Sequence, residues 1–220
     1  MTGFQAKSER EKQEAEEVFA GRLLDARANM LRMASKIALV HVGLAYLHET
    51  RGSNGVDRAL TTTHNELSSA NAVLLREAYA ISRKYLTTLY GEPRRRDHPE
   101  ERVRDVFLVG GANARREFPS FDYDALAVYE WEGATSGGTS GAISNREFYN
   151  RLFKSVRDIV DRMGHELDEQ FGFAEGPVST QQMKRVLSGP AAPVALRLYT
   201  RLTYGTGSNL FARNLMTWIE

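Results

Sequence analysis

With 220 residues, 42% of them hydrophobic and 26% charged, the chain can bury a sizeable core and has the balance of a folded soluble protein. A formal net charge of +1 gives no global basic field for nucleic acid, and the lack of cysteine excludes disulfides and thiolate metal sites. The N-terminus is charged and shows no signal-peptide apolar region, and no apolar run approaches the roughly 20 residues of a membrane span; a cytoplasmic protein without membrane contact is expected.

Ser8 to about Arg32 opens with Ser-Glu-Arg-Glu and good helix formers, its acids in the first turns where the helix dipole favours them. Val18, Leu23, Leu24, Met30, Leu31 and Met33 are expected to form the buried stripe of this long amphipathic helix. From Ala34 to Glu49 the chain is more continuously apolar, as suits the central helix of a bundle, and Gly52-Ser53-Asn54-Gly55 closes it. His41 and His48 in this stretch read as core or boundary residues rather than ligands. Asp57 to Tyr90 is a further long helical stretch, with a break allowed at Thr61-Thr62-Thr63 and with Leu67, Leu74, Ala78, Ile81 and Leu89 at helical spacing. Gly91 and Pro93 stop it. Arg94 to Glu101 follows as a charged linker; its three arginines, Arg94, Arg95 and Arg96, are either a solvated surface or a patch entering the site that comes next. Residues 1–92 are therefore expected to be a helical region and 93–220 a separate unit.

Val106 to Val109 is a short apolar run ended by Gly110-Gly111, the pattern of a buried strand closed by a turn that lets a ligand approach the backbone. Asp122 and Asp124 stand two residues apart at the start of a second run, Ala125 to Tyr129, and strand periodicity aims both at one side. Two like charges so placed repel unless a cation lies between them. Mg²⁺ takes one or two carboxylates plus phosphate oxygens, so the pair suggests a metal-nucleotide site. Gly133 to Ala142 is Gly/Ser/Thr-rich and reads as a mobile loop. An amphipathic helix is expected from about Ser144 to Phe171, capped by Ser144 or Asn145, then a short helix over Gln181 to Leu187. Val194 to Thr203 alternates as a strand does, with a helix as the competing reading, and Leu210 to Trp218 is a final helix.

The ungapped order Gly110-Gly111, Phe118-Pro119, Asp122-x-Asp124 before a hydrophobic strand resembles the nucleotidyltransferases of the DNA polymerase beta superfamily. Within it the stretch looks like the N-terminal domain of bacterial PII-protein uridylyltransferase and its relatives. Two departures stand out: Ala114 occupies the usual arginine position, with Arg115 and Arg116 beside it, and Phe121 replaces a serine. Gly176 to Thr180 and Leu198 to Gly205 are similar to two later family segments. In the second, Arg201 and Gly205 match but the acid position holds Tyr199.

The resemblance implies an α/β (α+β) fold, a helical bundle followed by a small mixed sheet with flanking helices. It also implies metal-dependent transfer of a nucleoside monophosphate from an NTP to a protein acceptor. Asp122 and Asp124 would hold Mg²⁺ or Mn²⁺ and act catalytically, while Gly110, Gly111, Arg115 and Arg116 would bind the nucleotide. The superfamily's third carboxylate falls on Tyr199, whose phenol is neutral at pH 7. Slow or absent transfer is then expected, unless Glu175 or a partner's acid fills the gap. A competing reading of another class is a catalytically silent nucleotide-binding or protein-docking regulatory module.

Overall fold

A computed structural model describes residues 3–50, 55–110, 122–168, 176–190, 192–199 and 202–219. Two long helices come first, α1 (Gly3–Glu49) and α2 (Gly55–Tyr90), packed against each other. Both run without a break. No proline and only isolated glycines fall inside α1, and in α2 the Thr61 hydroxyl donates back to the Asp57 carbonyl at 3.0 Å without interrupting the helix.

Only one stripe of α1 is covered: Ala28, Ser35 and Val42 are buried, and Leu24 and Leu31 are partly so. Val18, Met30 and Met33, expected in the buried stripe, face solvent, as do Ile37, Val40 and Leu44 of the expected bundle centre. Periodicity identified residues that share a face; the body of the protein covers a different one. By length and composition α1 is also long and apolar enough to cross a bilayer, with an 18-residue window of mean hydropathy 1.3. Interspersed Ala and Gly hide that average from a search for unbroken apolar runs.

Strand β1 (Gly91–Arg95) pairs antiparallel with β4 (Gly133–Gly137). The expected linker and the expected mobile loop therefore form one ladder. Gly91, at φ 80°, lies opposite Gly137, and a Cβ on Gly91 would stand 2.0 Å from the Ser136 carbonyl oxygen. Only glycine permits this approach.

The main sheet has β2 (Asp105–Gly110) between β3 (Asp122–Tyr129) and β7 (Thr203–Gly207), both antiparallel to it. On the far edge of β3, β5 (Glu166–Asp168) and β6 (Val178–Ser179) pair parallel to it in succession. This is the small mixed sheet with flanking helices that was expected.

Helix α3 (Asn145–Met163) starts at Ser144, whose side chain accepts from the Glu147 amide. It ends eight residues before the expected Phe171, because Gly164 takes a left-handed φ of 84° and the chain turns into β5. A capping box of Ser179 and Gln182 opens α4 (Thr180–Leu187). The strand expected over Val194 to Thr203 is replaced by α5 (Ala192–Tyr199), with β7 starting only at Thr203. Helix α6 (Asn209–Ile219) closes the described chain.

Strand alternation sorts the sheet's side chains into two cores. Phe107 and Tyr129 join Leu75, Tyr79, Phe148 and Leu152 of α2 and α3, with Phe107 stacked on Phe153 at 5.5 Å and edge-on to Tyr79 at 5.4 Å. Val106, Leu108, Leu126 and Val128 face the other way, onto Met183, Phe211 and Leu215 of α4 and α6. Each such fully buried side chain contributes about 1.5–3 kcal/mol. The sheet is thus held between two helical layers and its strand ends are fixed in place.

Candidate functional site

The end of the sheet where β2 stops and β3 begins gathers the residues singled out in the sequence. Gly110 pairs directly with Asp124 across the β2–β3 ladder. Position 110 is in phase with Val106 and Leu108, and position 124 with Leu126 and Val128, so both lie on the face that carries the second core further along. Gly110 is buried and Asp124 half-buried.

β5 brings a second pair of acids to the same place. Its parallel register sets Glu166 beside Asp122 and Asp168 beside Asp124. On the other side Thr203, at the start of β7, pairs with Val109 and donates its hydroxyl to the Val109 carbonyl at 3.3 Å. In order across this end stand Asp168, Asp122 with Asp124, Gly110, and Thr203. Like charges directly beside each other on adjacent strands are destabilising. Carboxylate oxygens are the donors that hard divalent ions take.

Asp168 is the acid that the sequence reading missed. Tyr199, to which the third-carboxylate position was assigned, instead ends helix α5. The missed signal was Gly164 followed by Glu166-Leu167-Asp168, a glycine stop and then an alternating triplet. Gly111, Arg115, Arg116, Phe118, Pro119, Glu175 and Arg201 lie outside the described residues.

The opposite end of the sheet does structural work. Asp105 begins β2, about 17 Å from Gly110 at strand spacing. It accepts from Arg83 at 2.6 Å and from the Tyr79 hydroxyl at 2.8 Å, while Arg83 also reaches Glu92 at 3.1 Å. Burial pushes the Asp105 carboxyl up, against the downward pull of the Arg83 guanidinium. Desolvation likewise pushes the Tyr79 hydroxyl well above its ordinary range. A groove of about 840 Å³ adjoins this cluster, lined in part by Arg95, Arg104 and Trp131.

The arginine run belongs to that end too. Arg94 donates to the Glu100 carbonyl at 2.8 Å, and Arg95 pairs with Glu101 and lies over the Trp131 ring at 4.3 Å. Arg94 and Arg95 lie on β1, whose partner strand β4 follows the far end of β3, so the run is remote from Asp124 and does not enter the acidic end.

No family model matches the chain. Over 139 residues, 63% of its length, it is 29% identical to a bifunctional glutamine synthetase adenylyltransferase/adenylyl-removing enzyme of Burkholderia pseudomallei (strain K96243) and covers 14% of that protein. A protein of the same description from Burkholderia mallei (strain ATCC 23344) is 28% identical over a stretch of equal length, again 14% of its own length. The chain therefore spans a small fraction of the relatives it matches. An adenylyltransferase is a nucleotidyltransferase, so this distant similarity and the motif agree on the class of chemistry. The uridylyltransferase branch that the motif resembles is a finer assignment than this similarity carries.

Proposed function

We propose that this chain is a nucleotidyltransferase module that binds an NTP at the acidic end of the five-stranded sheet and passes its nucleoside monophosphate to a protein acceptor. The observation that carries the reading is the register that pairs Gly110 with Asp124 and sets Asp168 beside Asp124. Asp122, Asp124 and Asp168 are the residues that would hold Mg²⁺ or Mn²⁺, hard ions that accept carboxylate and phosphate oxygens together. When bound, the ion supplies charge neutralisation on the triphosphate and a more acidic attacking group.

The chain's own contribution is positional. The β3–β5 register brings positions 122, 124 and 168 side by side, and charge that a fold gathers before binding is worth more than charge that must be gathered. Gly110 and Gly111 are the residues that would take the phosphates against backbone without side chains, and Arg115 and Arg116 those that would pair with their charge. The relatives' printed name makes adenylyl the first group to try, so ATP is the substrate we assign, with a protein as acceptor. The silent-module reading rested on a missing third acid; with Asp168 in that role the active reading is preferred.

The test measures pyrophosphate release and α-phosphate labelling of candidate acceptor proteins from ATP and Mg²⁺, for wild type, Asp124→Asn and Asp168→Asn. Wild-type transfer that either variant reduces by roughly a hundredfold or more, the scale of losing a main electrostatic element, supports the proposal. ATP binding that is indifferent to Mg²⁺ and to both variants overturns it.

A further inference from the structure

Helix α1 carries two apolar stripes, and among the described residues only one of them is packed against the body of the protein. The first, through Leu24, Ala28, Leu31, Ser35 and Val42, lies against the body of the protein, where Ser35 Oγ and His165 Nε2 stand 2.7 Å apart. The second lies on the other side of the helix, except that Phe19 and Leu23 at its N-terminal end also line a groove of about 250 Å³ with Ile81 and Tyr85 of α2. Leu23, Met30, Ile37 and Leu44 recur every seven residues, and Phe19, Ala26, Met33, Val40 and Leu47 recur every seven, offset by four. Together they alternate by four and three over four heptads, about 42 Å of helix. That is the a/d seam of a coiled coil, with the first set at a and the second at d. All nine are exposed; Phe19 is 68% exposed, Met30 69% and Ile37 67%. The solvent face of α3, by contrast, is charged and laced with i,i+4 ion pairs such as Lys154–Asp158. An unpartnered seam of this length marks an interaction surface.

The flanking positions identify the occupant. The g positions are Arg22, Asn29, Lys36 and Gly43, and the e positions from Ala20 onward are Arg27, Ala34, His41 and His48, with no acid among them. In a parallel pair of identical helices g faces e of the next heptad, setting Arg22 against Arg27 and offering no acid to Lys36. A second copy is therefore disfavoured by its own charge. Val18 and Leu39, outside the seam, are exposed as well; it is the four-three alternation, not the total apolar content, that favours a helical partner over a lipid surface.

We infer that the outer face of α1 docks an amphipathic helix of another protein, one whose a/d seam is flanked by Asp and Glu. The α1–α2 pair then becomes part of an intermolecular helical bundle beside the sheet domain.

The experiment uses the full chain and two fluorescent synthetic four-heptad peptides with Ile at a and Leu at d, one carrying Glu at every e and g position and the other Lys. Anisotropy is expected to show saturable binding of the Glu peptide, weakening with salt, and at least tenfold weaker binding of the Lys peptide. Ile37→Glu with Leu44→Glu should abolish binding with the melting temperature unchanged, since both side chains are exposed. Arg22→Glu, Arg27→Glu and Lys36→Glu together should reverse the preference between peptides. Equal binding of both peptides, or of neither, overturns the inference. A salt-independent dimer in sedimentation velocity overturns it in favour of a second copy. Partition into phosphatidylglycerol vesicles without peptide preference overturns it in favour of a membrane.

Discussion

Replacing Asp168 by asparagine separates an acid that serves a ligand from one that serves the fold. The β3–β5 register sets Asp168 beside Asp124. Carboxylates on adjacent strands stand roughly 5–6 Å apart and repel by about 0.7 kcal/mol in a water-like medium, rising to about 3 kcal/mol at an effective dielectric of 20. Asp124 is half-exposed, so the lower end applies. Removing one charge at a ligand site should leave the ligand-free protein within about 1 kcal/mol of wild type, or within roughly 1–3 °C in melting temperature for a chain of this size. Wild type with Mg²⁺ and ATP at a hundred times the dissociation constant should gain about 2.7 kcal/mol, or roughly 5–10 °C. Asp168→Asn should lose most of that gain. The assay is differential scanning calorimetry of both proteins with and without Mg²⁺-ATP. A ligand-free variant that melts several degrees lower would show the carboxylate to be structural, and a retained ligand shift would show it to be irrelevant to binding. Either result refutes the reasoning.

Arg83→Met leaves Asp105 buried without its cation, which should cost about 3–5 kcal/mol in urea unfolding; Arg83→Met with Asp105→Asn should cost less than that single change. A single-variant loss under 1 kcal/mol would contradict the buried pair. Gly138→Ala puts a Cβ 2.2 Å from the Tyr90 carbonyl carbon and 2.3 Å from the Gly91 amide nitrogen, backbone that cannot swing aside, so it should destabilise by about 1–3 kcal/mol or more. Gly21→Ala in α1 meets nothing within 4 Å and should stabilise by about 1 kcal/mol, a control on the same chemical denaturation curve. Ser144→Ala removes the acceptor for the Glu147 amide and should cost about 1 kcal/mol; no change would mean that water caps α3 equally well.

Local pattern and local chemistry settled a good deal of this molecule. Apolar residues at helical spacing, with Ser144 placed to cap and glycines placed to stop, are enough to specify α2 and most of α3, because helix bonds close within a few residues. The apolar runs before Gly110 and after Asp124 specified two strands with the acids at one end, and the α+β class came from the family resemblance of that stretch. What the sequence could not decide was which segments meet. The β1–β4 ladder is built from Gly, Ser, Thr and Arg with no hydrophobic signature, and exists because backbone groups distant in the chain find each other. Strand β5 is three residues long, too short for a period, and its partnership with β3 alone gives Asp168 its place beside Asp124. Tyr199 was aligned to that role by order along the chain, but α5 intervenes and ladder register, not order, sets neighbours in a sheet. In α1 the heptad seam is written in the sequence; that the body packs on the opposite stripe and leaves the seam facing outward is a tertiary fact, because two apolar stripes on one helix compete for one partner and only packing selects between them.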